Sequence, residues 1–484
     1  MAELPARPEV NRKIRIQTPH QDILKQDPAE RVCNWNEVVL GFESTGAAMI
    51  EASRCIQCPA APCMKACPVS NEIPGALWEL EHGNFIEAAN IFRLTSTMPE
   101  VCGRICPQER LCEGSCVVGN PKKDPPTPPV SIGRLEAFVA DTQRLTYGFP
   151  KPEIQPATGK SVAVVGSGPA GLTVAELVAK AGHHVVVFEA WPLPGGILRY
   201  GIPNFKLDKG IPDAKVRFLE ELGVEFRCNI TIDVDFSVDD LFAQGFNAVY
   251  LGHGAGVHAT IDTAGDDLEN IYWSTDFLVR GNLPPEALPE YHRQPVNIGK
   301  NVVVIGGGDT SMDCVRTAIR LAQAQGTPTT VTCLYRRSEV EMPGRVEERQ
   351  HAKQEGVKFE FLTAPTQFIG DAQNRVTGIQ CAQMELGEPD ASGRRRPMTV
   401  AGSEHIIDAD TVIIAVGFLG DDAVSEQAHV NHRQGLVIVD HETGASSRPG
   451  VFAGGDSVSG AYLVVTAVAQ GRTAARGILE YLAN

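Results

Sequence analysis

Residues 55–67 read CIQCPAAPCMKAC, four cysteines in thirteen positions, and Pro68 comes next. A second run, CGRICPQERLCEGSC, spans 102–116 and carries Cys102, Cys106, Cys112 and Cys116. Eight of the chain's 13 cysteines thus lie between positions 55 and 116. Packing alone does not call for such density, because any small apolar residue fills a core as well and what sets cysteine apart is its reactivity toward metals and oxidants. The segment has to fold around something that thiolates hold.

The spacing narrows the choice. Structural zinc takes four ligands, usually as two short pairs divided by a long loop. Here the runs are C-x2-C-x4-C-x3-C-P and C-x3-C-P-x4-C-x3-C, too close-set for that pattern. Three thiolates at short spacing and a fourth before proline match the arrangement that holds [4Fe-4S] clusters in bacterial ferredoxins, where the fourth cysteine serves the other cluster. Proline suits such a loop, since a fixed φ and no N–H help the chain turn around a compact inorganic core. The isolated Cys33, Cys228, Cys314, Cys333 and Cys381 read as buried apolar thiols.

Composition excludes several functions. A formal net charge of −16 and no long basic run leave no footprint for nucleic acid or anionic lipid. The amino terminus lacks an apolar signal core, and no stretch reaches the ~20 apolar residues that span a bilayer. A cytoplasmic location is expected, where clustered cysteines are metal ligands or redox groups rather than disulfides. Proline-rich pieces at 120–130 and 149–159 read as linkers. They divide a mainly helical zone at 1–148, with helical patterns such as 75–92, from a region where short Val/Ile/Ala runs alternate with glycine turns and helices. That rhythm predicts an α/β fold of two doubly wound parallel-sheet units.

Each unit opens on a glycine turn. In VAVVGSGPAGL the pattern G-x-G-x-x-G falls on Gly166, Gly168 and Gly171, with Pro169 and Ala170 opening the helix, and the next strand ends in Glu189. Glycines let backbone approach a pyrophosphate, the helix N-terminus favours its charge, and the acid accepts ribose hydroxyls. This site suits FAD. The second turn, VVVIGGGDTSM, supplies Gly306, Gly307 and Gly308, with Ser311 in the third slot, and its following strand ends in Arg336 and Arg337. Two guanidinium groups there would bind a 2′-phosphate that a carboxylate would reject, so this site suits NADP. Near the C-terminus, Gly455 and Asp456 end a strand before a helix that includes Val464; an acid there can accept from a ribityl hydroxyl.

With these motifs in place, the chain resembles the small (beta) subunits of NADPH-dependent glutamate synthases and, more distantly, the electron-input half of dihydropyrimidine dehydrogenase. The resemblance rests on both cysteine runs, GSGPAG, PGGILRYGIPNFKL at 194–207, GGGDTSMD, YRR, AVG at 415–417 and AGGD. It implies that Cys55, Cys58 and Cys63 join Cys116 on one [4Fe-4S] cluster, and that Cys67, Cys106 and Cys112 share the second with Glu136 as the eighth ligand. Cys102 is the plainer chemical alternative to Glu136. It also implies that Gly195, Gly196, Ile197 and Lys206 lie along the flavin, and Asp309, Thr310 and Gly417 beside NADP. The nicotinamide unit (293–420) would be inserted into a flavin unit formed by 149–292 and 421–484.

The expected chemistry is hydride transfer from NADPH to FAD and onward passage of single electrons to the clusters, which needs positioning rather than a general acid or nucleophile. No motif-grade hydrolytic constellation is present, and lone residues such as His253 and His258 read as satisfied structural histidines. By resemblance the electrons leave for a large subunit with FMN, a [3Fe-4S] cluster and glutamine amidotransferase chemistry, which makes glutamate from 2-oxoglutarate and glutamine. The alternative is an electron-input module for another acceptor: ferredoxin, a sulfur compound or a pyrimidine reductase subunit.

Overall fold

The computed structural model describes residues 7–119, 126–261, 263–391 and 393–484. The cysteine-rich zone is built on the helices Thr45–Ser53, Ile73–Glu81, Phe85–Arg93, Pro99–Ile105 and Ile132–Tyr147. Ser44 starts the first by accepting from the Ala47 N–H at 3.1 Å, which satisfies one of the donors a helix leaves open. The last is amphipathic: Ile132, Leu135, Glu136, Val139, Ala140 and Gln143 recur at helical spacing and are all buried. It lies backbone to backbone on Pro99–Ile105, because a Cβ on Gly103 would sit 2.6 Å from the Gly133 carbonyl and the Ala137 nitrogen. Arg54, buried and paired with Glu51 at 2.6 Å, donates to the carbonyls of Pro128 and Pro129, and Glu51 accepts from the Ser131 N–H at 2.9 Å.

Two five-stranded parallel sheets follow. The first has the order Val451–Ala453, Ala248–Leu251, Ser161–Val165, His184–Glu189, Glu225–Cys228. Its central strands are continuous valine runs buried on both faces, as an all-parallel sheet requires. Helices Pro169–Lys180 and Val464–Ala483 pack on one face. The second sheet has the order Lys358–Phe361, Thr330–Tyr335, Asn301–Ile305, Thr411–Ile414, Ile271–Trp273. The chain leaves the first sheet after Leu251 and returns at Val451, so the second unit is inserted in the first.

Two features differ from the expected division. Ile271–Trp273 pairs in parallel with Val412–Ile414 and so belongs to the second sheet, ahead of the boundary expected at 293. Between 363 and 408 the chain also builds a four-stranded antiparallel sheet around the long strand Val376–Pro389. Its Phe368, Val376, Ile379 and Cys381 cover one face of the second parallel sheet, against Val303, Ile305, Val412 and Ile414.

Buried charge fastens the three zones. Arg31 of the N-terminal zone reaches Glu355 at 2.7 Å, and Glu355 also takes Arg316 and Arg320 of the helix Asp309–Gln325, both at 2.9 Å. Lys206 of the first unit pairs with Asp313 of the second at 2.6 Å. Burial pushes the Glu355 carboxyl up, but Arg316 and then Arg320 outweigh it and hold it at about 2, below the ordinary 4.5. An acid with a depressed folded pKa stabilises the fold above its ordinary pKa and loses that contribution as pH falls toward the folded value. Glu355→Gln is therefore expected to cost about 3 kcal/mol at pH 7 by leaving three guanidiniums short of a counter-charge. In denaturant unfolding the variant should also lose less stability than the wild type between pH 4.5 and pH 2.

Candidate functional site

The first glycine turn joins the strand Ser161–Val165 to the helix Pro169–Lys180. Gly166 has φ +90°, and a Cβ there would overlap the Gly252 carbonyl; a Cβ on Gly171 would overlap the Gly166 carbonyl. Both positions need glycine for the close approach of strand, turn and helix. Gly168, by contrast, has nothing within 4 Å of its Cβ direction, so the start of the helix faces open space. That is the cradle a pyrophosphate needs, with free N–H groups and a positive helix end. Glu189 stands beside it, accepting from the Ser167 N–H at 3.1 Å, the Ser167 hydroxyl, and the Trp191 N–H at 2.9 Å. A carboxylate accepts about four such bonds, which leaves room for one ribose hydroxyl.

The rest of the expected flavin set converges here. The Gly195 N–H donates to Ser167 Oγ at 2.8 Å, and Gly196, at φ +50°, lies against Gly168. Ile197 is exposed at the start of the short helix Ile197–Tyr200. Gly455, at φ +74°, packs on Ala170, which brings Asp456 and the helix beginning at Val464 to the same turn. Burial pushes the Asp456 carboxyl up to about 6. Lys206 is placed differently from the expectation: its ammonium is committed to Asp313, as a brace between units.

Sequence reasoning missed a residue here. His253, expected to be satisfied, lies against Gly166, and among the described residues neither of its buried ring nitrogens has a hydrogen-bond partner. Burial lowers its pKa to about 4, so the ring is neutral and one N–H and one lone pair are free for a ligand. His258 stacks on Trp273 at 5.1 Å.

The second turn repeats the geometry with one change. Gly306, at φ +142°, approaches the Ala415 carbonyl, and Ser311 donates to that same oxygen at 3.4 Å, so the serine in the third slot closes the helix onto the strand. Gly307 is packed under the Tyr335 ring. Gly308 and Gly417 have nothing within 4 Å, and Asp309 and Thr310 are half-buried at the helix start. The two arginines are separated. Arg336 is exposed, whereas Arg337 is buried, pairs with Asp390 at 2.6 Å and donates to the Arg395 carbonyl at 2.7 Å. Arg337 therefore ties down the hairpin of the antiparallel sheet, and only Arg336 points its charge to solvent.

The cysteines fall into two electrostatic groups. Burial raises the Cys55 and Cys63 thiols to about 12, and both also feel Cys58 and Cys116. In the second group, burial pushes the Cys67 thiol to about 11, with Glu136 and Cys102 adding to the rise. Cys106 is raised by a side-chain hydrogen bond with Cys102 and by burial, and Cys112 by burial with Glu113, Glu136 and Cys67. The Glu136 carboxyl is likewise driven up by burial and by Cys102, and it accepts from Asn71 Nδ2 at 3.1 Å. Burial and their mutual repulsion keep these thiols and the carboxyl raised despite Arg15 near Cys55 and Arg93 near Glu136, and a positively charged inorganic centre would ionise them. Among the described residues, no three His, Cys, Asp or Glu groups converge closely enough for a single metal ion. The second group holds five donors, since Cys102 and Glu136 both belong to it.

The cysteines differ in what they pack against. Cys102 and Cys106 share one core with Ala170, Val174, Leu198 and Val468 of the first nucleotide unit. Cys55, Cys63 and Cys112 pack within the helical zone, and Cys58 and Cys116 are half-exposed. Of the isolated cysteines, Cys314, Cys333 and Cys381 are buried as expected, while Cys33 is exposed and Cys228 half-buried, so the uniform reading fails for those two.

Residues 31–147 match the family described as dihydropyrimidine dehydrogenase domain II, 4Fe-4S cluster, and residues 160–471 match pyridine nucleotide-disulphide oxidoreductase. The fold is shared with Mycobacterium tuberculosis FprA in complex with NADPH, at TM-score 0.56 and 20% identity over 68% of this chain and 85% of that one. Fold and site thus define a pyridine nucleotide oxidoreductase with an N-terminal 4Fe-4S domain. The glutamate synthase [NADPH] small chain of Escherichia coli (strain K12) is 40% identical over 448 residues, 91% of this chain and 92% of its own length. That of Azospirillum brasilense is 41% identical over 464 residues, 94% of this chain and 93% of its own length. The chain belongs to the glutamate synthase [NADPH] small chain family. No helix among the described residues is long and apolar enough to cross a membrane.

The first turn generates a test. Gly166→Ala forces a Cβ into the Gly252 carbonyl at a φ that L-residues avoid, a strain of about 2 kcal/mol. The purified variant should bind added FAD roughly tenfold or more weakly, as measured by equilibrium titration.

Proposed function

We propose that the chain is the NADPH-oxidising electron-input subunit of a glutamate synthase. FAD lies on the first turn, held by Gly166, Gly168, Pro169, Ala170 and Gly171, with Glu189 on its ribose and Gly455, Asp456 and Val464 at the ribityl and ring end. Gly195, Gly196 and Ile197 close over it. NADPH lies on the second turn, along Gly306, Gly307, Gly308, Asp309, Thr310 and Gly417. Arg336 faces the 2′-phosphate, and Arg337 acts by positioning the neighbouring hairpin. Two [4Fe-4S] clusters are held by Cys55, Cys58, Cys63 and Cys116, and by Cys67, Cys106 and Cys112 with Glu136.

Bound flavin supplies the exchange between an electron pair and single electrons; the protein supplies position and charge. Asp456 at its helix start, Glu189 and the two open helix ends orient the nucleotides. Electrons then have an ordered way out, toward a large subunit with FMN, a [3Fe-4S] cluster and glutamine amidotransferase chemistry, where glutamate is made. The observation that carries this reading is the shared core of Cys102 and Cys106 with the first nucleotide unit, against the half-exposed Cys58 and Cys116. Through Cys102 and Cys106 the second group adjoins the proposed flavin unit, while the first group includes two half-exposed cysteines near which electrons can leave.

Anaerobically purified protein should contain about eight irons per chain, and NADPH should bleach the flavin and develop cluster EPR signals. Zinc in place of iron, or flavin reduction with no cluster response, would overturn the reading. In Glu136→Ala one of the two signals should change; if both persist, Cys102 is the eighth ligand. Replacing Arg336 with Ala should cut the preference for NADPH over NADH roughly tenfold, the effect of losing about 1.4 kcal/mol of phosphate binding. Steady-state kinetics with the two nucleotides measure it.

A further inference from the structure

The segment Gly344–Val346 touches both the second glycine turn and the loop between Cys106 and Cys112. On one side, the Gly344 N–H donates to the Gly307 carbonyl at 3.0 Å and the Arg345 N–H to Asp309 Oδ1 at 3.0 Å. On the other, the Arg345 guanidinium donates to the carbonyls of Arg104 at 3.2 Å and Cys106 at 3.4 Å, and the Val346 N–H to Glu109 Oε1 at 3.3 Å. Arg345 is 3% exposed. Its Nε stands 3.5 Å from Asp309 and its Nη2 3.3 Å from Glu348, which holds it in place. A single buried cation thus sits between the nucleotide-facing carboxylate and the backbone that presents a cluster ligand.

We infer that Arg345 is a positioning residue that couples nucleotide binding at the second turn to the redox state of the cluster on Cys106, making the two antagonistic. The inference rests on the cofactor assignment proposed above. An electron added at the Cys106 cluster draws the guanidinium toward the Cys106 carbonyl and weakens its hold on Asp309. Asp309, left with the Arg345 N–H at 3.0 Å and the more distant, exposed Arg110 at 4.0 Å, then repels nucleotide phosphates at the helix start more strongly. Linkage makes the effect mutual, so bound nucleotide makes that cluster harder to reduce by the same factor. The device favours release of spent nucleotide once its electrons have moved on.

The test uses holoprotein and 2′-phospho-ADP-ribose, which has the phosphates of NADP but no nicotinamide to react. Its Kd should rise about fivefold when the clusters are reduced with dithionite. In an EPR-monitored redox titration the ligand should lower the midpoint of one cluster by about 40 mV, that same fivefold converted at 59 mV per tenfold for one electron. Arg345→Gln should bring the Kd ratio close to one, and Arg345→Lys, which keeps the charge but cannot span both partners, should leave an intermediate ratio. Equal Kd values in the two redox states of the wild type, or an unchanged ratio in Arg345→Gln, would overturn the coupling while leaving the cofactor assignment intact. No binding in either state, or no cluster signal, would overturn both.

Discussion

A carboxylate with three arginines around it holds this molecule in register. Glu355 is reached by Arg31 from the cysteine-rich zone and by Arg316 and Arg320 from the helix that opens on the second glycine turn. Arg316 and Arg320 also lie over the Phe205 ring of the first unit, at 4.5 and 4.0 Å, so one knot of charge touches all three zones. Burying such charges is costly unless every one is matched, and the matching is geometrically demanding. That demand makes the network a locator: the zones can meet in few other ways without stranding a guanidinium. The electron path proposed above needs the separations between units fixed, and fixed separations follow from this constraint.

Within that frame the two nucleotide turns show how similar backbone is tuned by a few side chains. Both begin with a glycine pressed against a neighbouring carbonyl, and both leave the middle of the turn open. The first has Glu189 accepting three hydrogen bonds from its own loop, a local acid suited to hydroxyls. The second has no acid at the matching strand end, and its closing residue is Ser311 rather than glycine. In the proposed assignment the difference in ligand arises at strand ends, while the turns themselves answer to sterics.

How much of this was readable beforehand depends on the range of the interactions. Glycine turns and cysteine spacings are local, so the parallel-sheet units and the two cysteine runs could be read from short windows, while the division of the cysteines between two clusters is implied by the family resemblance. Ile271–Trp273 is too short a strand to announce which sheet it joins, so the boundary at 293 was misplaced. The antiparallel sheet went unread because strands such as Thr363–Gly370 are buried at few positions and lack the valine runs that mark a parallel strand. Arg337 looked like a phosphate ligand because its partner, Asp390, lies 53 residues away. His253 looked ordinary because an empty hydrogen-bonding shell is a property of packing. Arg345 carries no signal at all in its neighbourhood, PGRVEER, since its partners Arg104 and Cys106 lie 241 and 239 residues earlier.

The interrupted first sheet has a consequence for how the protein is made. Its edge strand Val451–Ala453 arrives some 200 residues after the strand it pairs with, Ala248–Leu251. The final helix then clasps the cysteine-rich zone, with Arg472 donating to the carbonyls of Val69 and Thr95 across 403 and 377 residues. Synthesis runs from the amino terminus, so Cys102 and Cys106, which share a core with the final helix, leave the ribosome early and gain that cover only at the end. Until that helix arrives, the cysteines proposed as iron ligands at this seam lack its cover, an interval in which metal can be delivered and in which oxygen can do harm.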